Sequence, residues 1–231
     1  MERHPLKRFL VSLAVLFLFA SLFAVPSSAQ QVTAEDLAQR VTKAQFTFRD
    51  FERDPRMTWF RQNVRYAKGL LIMPVLVRGG FFFGGSGGRG VLLAQDAAGT
   101  WSNPAFYDVG SASFGLQFGA AGGQVILMIM TDRGLRRFLN DKFQLGADAS
   151  ISVGPEGIGA KAEIFDIFSF SRVKGIFAGL TIEGGVVVVN RADNQTYYGQ
   201  TKISPRDILL RRKYKNPQAD DLIRVLTKAS R

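Results

Sequence analysis

The side chains that could do chemistry in this 231-residue chain are its acids, its 30 lysines and arginines and a tight cluster of glycines. Cysteine is absent and the only histidine is His4. That excludes thiolate nucleophiles, Ser-His-Asp and Cys-His relays, histidine general bases and zinc sites of the ordinary type. Hydrolysis by paired carboxylates would have to use Asp148, Glu156, Glu163 or Glu183, the acids in or beside predicted β segments. Their spacing selects no pair. A carboxylate-based hydrolase of cell-envelope polymers, or a structural envelope protein, therefore stays as the alternative reading. No catalytic residue, metal site or cofactor is expected.

The glycines invite a nucleotide reading. Five of the seven residues from Gly84 to Gly90 are glycine, and Gly85-Ser86-Gly87-Gly88-Arg89-Gly90 satisfies G-x-G-x-x-G. The dinucleotide mechanism needs a helix to begin there, so that its N–H groups face a pyrophosphate. Val91-Leu92-Leu93-Ala94 follows instead, and reads as strand. A glycine-rich β-turn or bulge is expected. Its successive N–H groups, with Arg78 and Arg89 beside them, could form a nest for a lipid phosphate.

The cations are unevenly placed. The net charge of +11 divides into +2 over residues 1–29, +3 over 30–68, zero over 69–201 and +6 over 202–231. Basic flanks around a neutral centre suit an anionic surface, and nucleic acid is not expected. Arg3, Lys7 and Arg8, the apolar Phe9–Val25 and the small residues before Gln30 match a secretory signal cleaved after Ala29. The alternative is an uncleaved anchor. Either way the expected location is exported, periplasmic or secreted, and peripherally membrane-associated.

The elements that position these residues follow from periodicity. Residues 33–52 predict an amphipathic helix, with Thr33 and Asp36 as a capping box and Leu37, Val41, Ala44, Phe48 and Phe51 in one stripe. That stripe either packs on its own domain or lies in a membrane interface. Asp54-Pro55 starts a second, basic helix. From Leu70 to Tyr198 short apolar or alternating runs predict strands, among them Leu70–Val77, Val125–Met130, Ala147–Val153 and Ile167–Val173, with one short helix over Asp132–Leu139. Ser204-Pro205 and Asn216-Pro217 begin a helical tail, and Arg211-Arg212-Lys213-x-Lys215 forms a basic cluster. The expected class is α+β: a compact antiparallel sandwich or barrel with N-terminal amphipathic helices (30–68), a glycine-rich β domain (69–201) and a basic helical tail (202–231).

Six ordered pieces then carry a resemblance. Ala67-Lys68-Gly69, Arg78-Gly79-Gly80-Phe81 with Gly84–Val91, Trp101-Ser102-x-Pro104, Gly110-x4-Gly115-x-Gln117-x-Gly119, Leu145–Pro155 and Ser171–Gly184 with Tyr197-Tyr198-Gly199 resemble the SYLF domain over roughly 64–210. The resemblance implies a non-enzymatic, phospholipid-binding module; eukaryotic members bind phosphoinositides and in some cases actin. It also implies membrane contact through an amphipathic helix ahead of Ala-Lys-Gly. The lipid-binding candidates carried over are Arg40, Lys43, Arg49, Arg61, Arg65 and Lys68, joined by Phe48 and Phe51 from the apolar stripe and by Arg78 and Arg89 from the glycine cluster. An exported chain does not meet cytosolic actin or cytosolic phosphoinositides, so anionic phospholipid in general is the expected partner.

Overall fold

Thr33 caps the first helix as the sequence predicts: Asp36 N donates to its Oγ1 at 3.2 Å, and Thr33 N donates to Asp36 Oδ2 at 2.9 Å. This helix, α1 (Ala34–Arg53), belongs to a computed structural model that describes residues 31–80, 83–114, 119–154, 165–173, 176–177 and 184–231. The export-signal pattern, Phe81, Phe82, and the acids Glu156, Glu163 and Glu183 lie outside the described residues. Asp54 caps a 3₁₀ turn over Pro55–Met57, which leads into α2 (Thr58–Asn63). The second helix is thus broken into short turns.

Four long antiparallel strands make the centre: β1 (Gly69–Gly80), β2 (Phe83–Ala94), β3 (Ala105–Phe114) and β4 (Gly119–Ile129). After α3 (Asp132–Arg137) come β5 (Lys142–Gln144), β6 (Ile151–Val153), β7 (Ile167–Val173), β8 (Ile176–Phe177) and β9 (Val186–Val189). The chain then turns helical in α4 (Arg191–Tyr198), α5 (Pro205–Leu209) and α6 (Asp220–Ala229). All strands join one sheet in the order β5-β9-β3-β2-β1-β4-β7-β6, with β8 beside β7. The α+β class holds.

That order forces curvature. β5 and β6 stand at opposite ends of the sheet, yet six residues, 145–150, join them. Eight flat strands at about 4.8 Å spacing would separate the ends by roughly 34 Å. The connecting backbone reaches at most about 25 Å when fully extended. It is not extended: Gly146 has φ 88°, and Asp148 Oδ2 accepts from Gln144 N at 2.7 Å to close a tight turn. The sheet therefore curls into a half-barrel. The predicted strand over Ala147–Val153 is corrected by the same turn, which leaves only Ile151–Val153 extended.

Strand alternation splits the core in two. Leu70, Ile72, Val91, Leu93, Phe106, Ile126, Met128, Phe168 and Phe170 face α1, α2 and α6. Leu71, Met73, Leu76, Leu92, Tyr107, Val125 and Leu127 face the other way, toward α3, α5 and β5. The continuously apolar runs Leu70–Met73, Val91–Ala94 and Val125–Ile129 follow from this, because both faces of the sheet are covered there.

The glycine cluster is corrected as well. Residues 84–90 form the outer half of β2, paired with β1 and β3, rather than a turn. β1 bulges around Pro74, where its register slips on both sides, and the bulge crowds β2. A Cβ at Gly90 would sit 2.7 Å from Met73 Cγ and 2.8 Å from Ile72 O, and one at Gly88 2.9 Å from Val75 O. Close approach explains those two glycines. In an extended strand successive N–H groups point in opposite directions, so the anticipated phosphate nest does not form.

Candidate functional site

α1 fixes the site by the way it docks. Its predicted apolar stripe, Leu37, Val41, Ala44, Phe48 and Phe51, is buried without remainder against the sheet, α2 and α6. Phe48 packs on Phe60 with ring centroids 5.7 Å apart, and Phe51 on the same ring at 6.2 Å. Phe48 and Phe51 are thus core residues, and their surface is already spent inside the domain. Of the two fates open to this helix, packing on its own domain is the one observed.

Arg40 also turns inward. Its Nη1 pairs with Asp193 of α4, and its guanidinium lies 5.7 Å from the centroid of Phe106. Asp193 N donates to Asn190 Oδ1 at 2.9 Å, and Asn190 Nδ2 donates to Asp108 Oδ2 at 3.0 Å. Asp108 stands opposite Arg89 in the β2–β3 register, and Arg89 opposite Val75 in the β1–β2 register. A polar chain therefore runs from α1 through α4 to the middle of the sheet.

The chain borders a cleft of about 620 Å³ between α1 and the outer half of β1–β3. Gln39, Arg40 and Lys43 form its helical wall; Val75, Arg89 and Asp108 form the sheet wall, over a floor at Gly87. Asp36 sits at its rim, held below the usual carboxylate range by the Thr33 backbone N–H and hydroxyl. Arg89 Nε lies 3.6 Å from Asp108 Oδ1, beyond hydrogen-bond distance, and that oxygen has no hydrogen-bond partner although closed to solvent.

The structure brings three of the sequence candidates together, Arg40, Lys43 and Arg89. It scatters the others. Arg61 Nη1 donates to Asp54 O at 2.5 Å and to Glu52 O at 3.3 Å, so it pins the α1–α2 junction. Arg65 lies over the ring of Tyr66 at 4.8 Å, and both are exposed. Lys68 bridges β4 and Gln95 through its backbone: its N–H donates to Ile129 O at 2.7 Å, and its carbonyl accepts from Gln95 N at 3.0 Å. Arg78 stands opposite Ser86, with its side chain outside the described residues. Arg49 is half-buried on α1 and makes no ion pair among the described residues.

The basic tail cluster is mostly neutralised. Arg211 and Lys213 both pair with Asp207, at 3.0 and 2.9 Å, and Arg212 Nη1 pairs with Asp96 at 2.5 Å. Asp148, a candidate acid for hydrolysis, is the turn residue already described.

Sequence reasoning missed Phe46. It is the most exposed phenylalanine among the described residues of α1, at 56%, on the face opposite the buried stripe. Lys43 and Arg49 lie three before and three after it, the spacing of neighbours on a helix surface; Arg53 follows two turns on along the same face, and Asp50, four after, pairs with Arg172. The signal was present in the numbering: Phe46 and Phe48 point about 160° apart on a helix, so both cannot join one stripe.

Comparison with known proteins adds a lineage to this geometry. Residues 110–229 match the family Ysc84, described as Las17-binding protein actin regulator. The chain is 33% identical over 171 residues to Protein YSC84 of Saccharomyces cerevisiae, a match covering 71% of this chain and 36% of that protein. It is 32% identical over 171 residues to LAS seventeen-binding protein 3 of the same species, covering 71% and 37%. Against SH3 domain-containing YSC84-like protein 1 of Homo sapiens it is 29% identical over 166 residues, covering 69% and 48%. The chain thus spans between about a third and about half the length of these curated relatives.

Proposed function

Because this chain belongs to the Ysc84 family, the SYLF module of its resemblance, we propose that it is a non-enzymatic module that binds anionic phospholipid at a membrane surface. One observation carries the reading: Phe46 stands out from the docked α1, with Lys43 and Arg49 at neighbouring positions and Arg53 two turns on along the same face. An exposed aromatic flanked by cations can enter the headgroup boundary while its neighbours stay in water. Each cation near an anionic surface contributes about 1 kcal/mol, an attraction that salt screens. No described helix is long and apolar enough to cross a membrane. The export-signal pattern of residues 1–29 supports action on an exported, periplasmic or secreted face.

Co-sedimentation with phosphatidylglycerol vesicles and with neutral phosphatidylcholine vesicles tests the proposal. Binding to the anionic vesicles alone, weakening as salt rises from about 0.05 M to about 0.5 M, is expected. Equal binding to both vesicles, or to neither, rules it out.

A further inference from the structure

Gly87 has no structural reason to be glycine. It lies in extended β2, outside the glycines of positive φ, and an added Cβ would meet nothing nearer than Val109 O at 3.9 Å. Gly88 and Gly90, on the opposite face, are crowded by the β1 bulge; Gly87 is not. What its missing side chain does is leave the floor of the α1–sheet cleft open.

We propose that this cleft seats a singly charged phosphodiester, the headgroup of a glycerophospholipid; the inference rests on the phospholipid reading above. The volume, about 620 Å³, suits a small ligand. The charges select its type. Arg40 is committed to Asp193, whereas Lys43 makes no ion pair among the described residues and Arg89 is held to Asp108 only at 3.6 Å. Asp36, at the rim, is already engaged by the Thr33 N–H and hydroxyl, so the two available cations face one carboxylate, Asp108, and leave an excess of one positive charge. One phosphate monoanion neutralises that excess, with Lys43 and the guanidinium of Arg89 donating to its oxygens. A polyanionic headgroup would bring further negative charge against both acids. An exit for the apolar part is at hand. Val75 and Val77 project from the same face at 55% and 54% exposed, and Val77 is flanked in register by Gly87 and Gly122.

Gly87→Leu fills the cleft without touching its charges, and Gly87→Ala is the milder version in case leucine disturbs folding. Both are compared with the wild type by thermal unfolding, by phosphatidylglycerol-vesicle binding and by amide NMR titration with soluble glycerophosphoglycerol. Unchanged unfolding, a loss of vesicle affinity of about tenfold or more, and amide shifts at residues 87–89 in the wild type alone are the expected results. Wild-type binding of vesicles that Gly87→Leu retains in full overturns the cleft and leaves the Phe46 surface standing. A wild type that binds no vesicle overturns the functional reading; shifts with glycerophosphoglycerol then still support the cleft, and none dismiss it. Tighter binding to phosphatidylinositol bisphosphate vesicles, at matched total surface charge, overturns the single-charge assignment.

Discussion

Phe46 and Phe48 sit two residues apart on α1 and should fail in opposite ways when cut to alanine. Phe48 is fully buried, and its neighbours Phe51 and Phe60 are as well, so the hole left by Phe48→Ala cannot close by local collapse. A cost of about 3–5 kcal/mol follows, a large share of the roughly 5–15 kcal/mol that holds a domain folded. Phe46 is 56% exposed, so Phe46→Ala should change stability by less than about 0.5 kcal/mol. At a membrane the same ring can bury roughly 110 Å² more, worth up to about 2–3 kcal/mol. Its loss should weaken vesicle binding by between about tenfold and about a hundredfold. Urea unfolding followed by the fluorescence of Trp59, which packs on Phe168 at 4.9 Å, reads the first effect. Phosphatidylglycerol-vesicle titration reads the second. The reverse pattern, Phe48→Ala keeping its urea midpoint while losing vesicle affinity, would refute the reasoning, because the buried stripe would then be the membrane contact.

Further outcomes follow from the buried carboxylate of Asp166, between α3 and β7, and from the β1 bulge. Asp166 accepts from Thr131 Oγ1 at 2.5 Å, from Arg133 at 2.8 Å and from Ser150 N at 3.1 Å. Burial alone would raise its carboxyl, but hydrogen bonds from Arg133, Thr131 and Ser150 bring it to about 2. Its folded value is depressed, so its stabilisation is fully present above about pH 4 and fades as pH falls toward about 2. Asp166→Asn should cost about 3 kcal/mol at neutral pH and flatten the acid limb of a Tm-against-pH curve; an unchanged limb would dismiss the role. Gly90→Ala must push its Cβ into Met73 Cγ and Ile72 O, so calorimetry should show a loss of about 3 kcal/mol, where Gly87→Ala shows none.

Local rules made much of this fold legible. The Thr33–Asp36 and Ser204–Asp207 caps stand where the spacing places them, and β7 covers the predicted Ile167–Val173. A cap is satisfied within four residues, so sequence suffices to find it. α4 escaped notice because its buried residues, Asp193, Asn194 and Tyr197, are polar or amphipathic and show no apolar stripe. Its Asn190 cap and the left-handed Gly199 at its end were the available signals. The cleft could not be read at all. It depends on Arg40 meeting Asp193, 153 residues away, and on a bulge in β1 whose cause lies in register with two neighbours. The curl was within reach only once the sheet order was known.

One packing arrangement also sets an order of events during synthesis. The stripe of α1, near the start of the described chain, is covered in part by Ala219, Leu222 and Leu226 of the last turn and helix, and Trp101 Nε1 donates to Ser230 Oγ at 3.0 Å. α1, the first of the described helices, thus waits for α6 before its apolar face is closed. Until then Leu37, Val41 and Phe48 stay open to solvent, to a chaperone or to another nascent chain. A chain cut short of residue 219 leaves α1 without the part of its cover that Ala219, Leu222 and Leu226 supply.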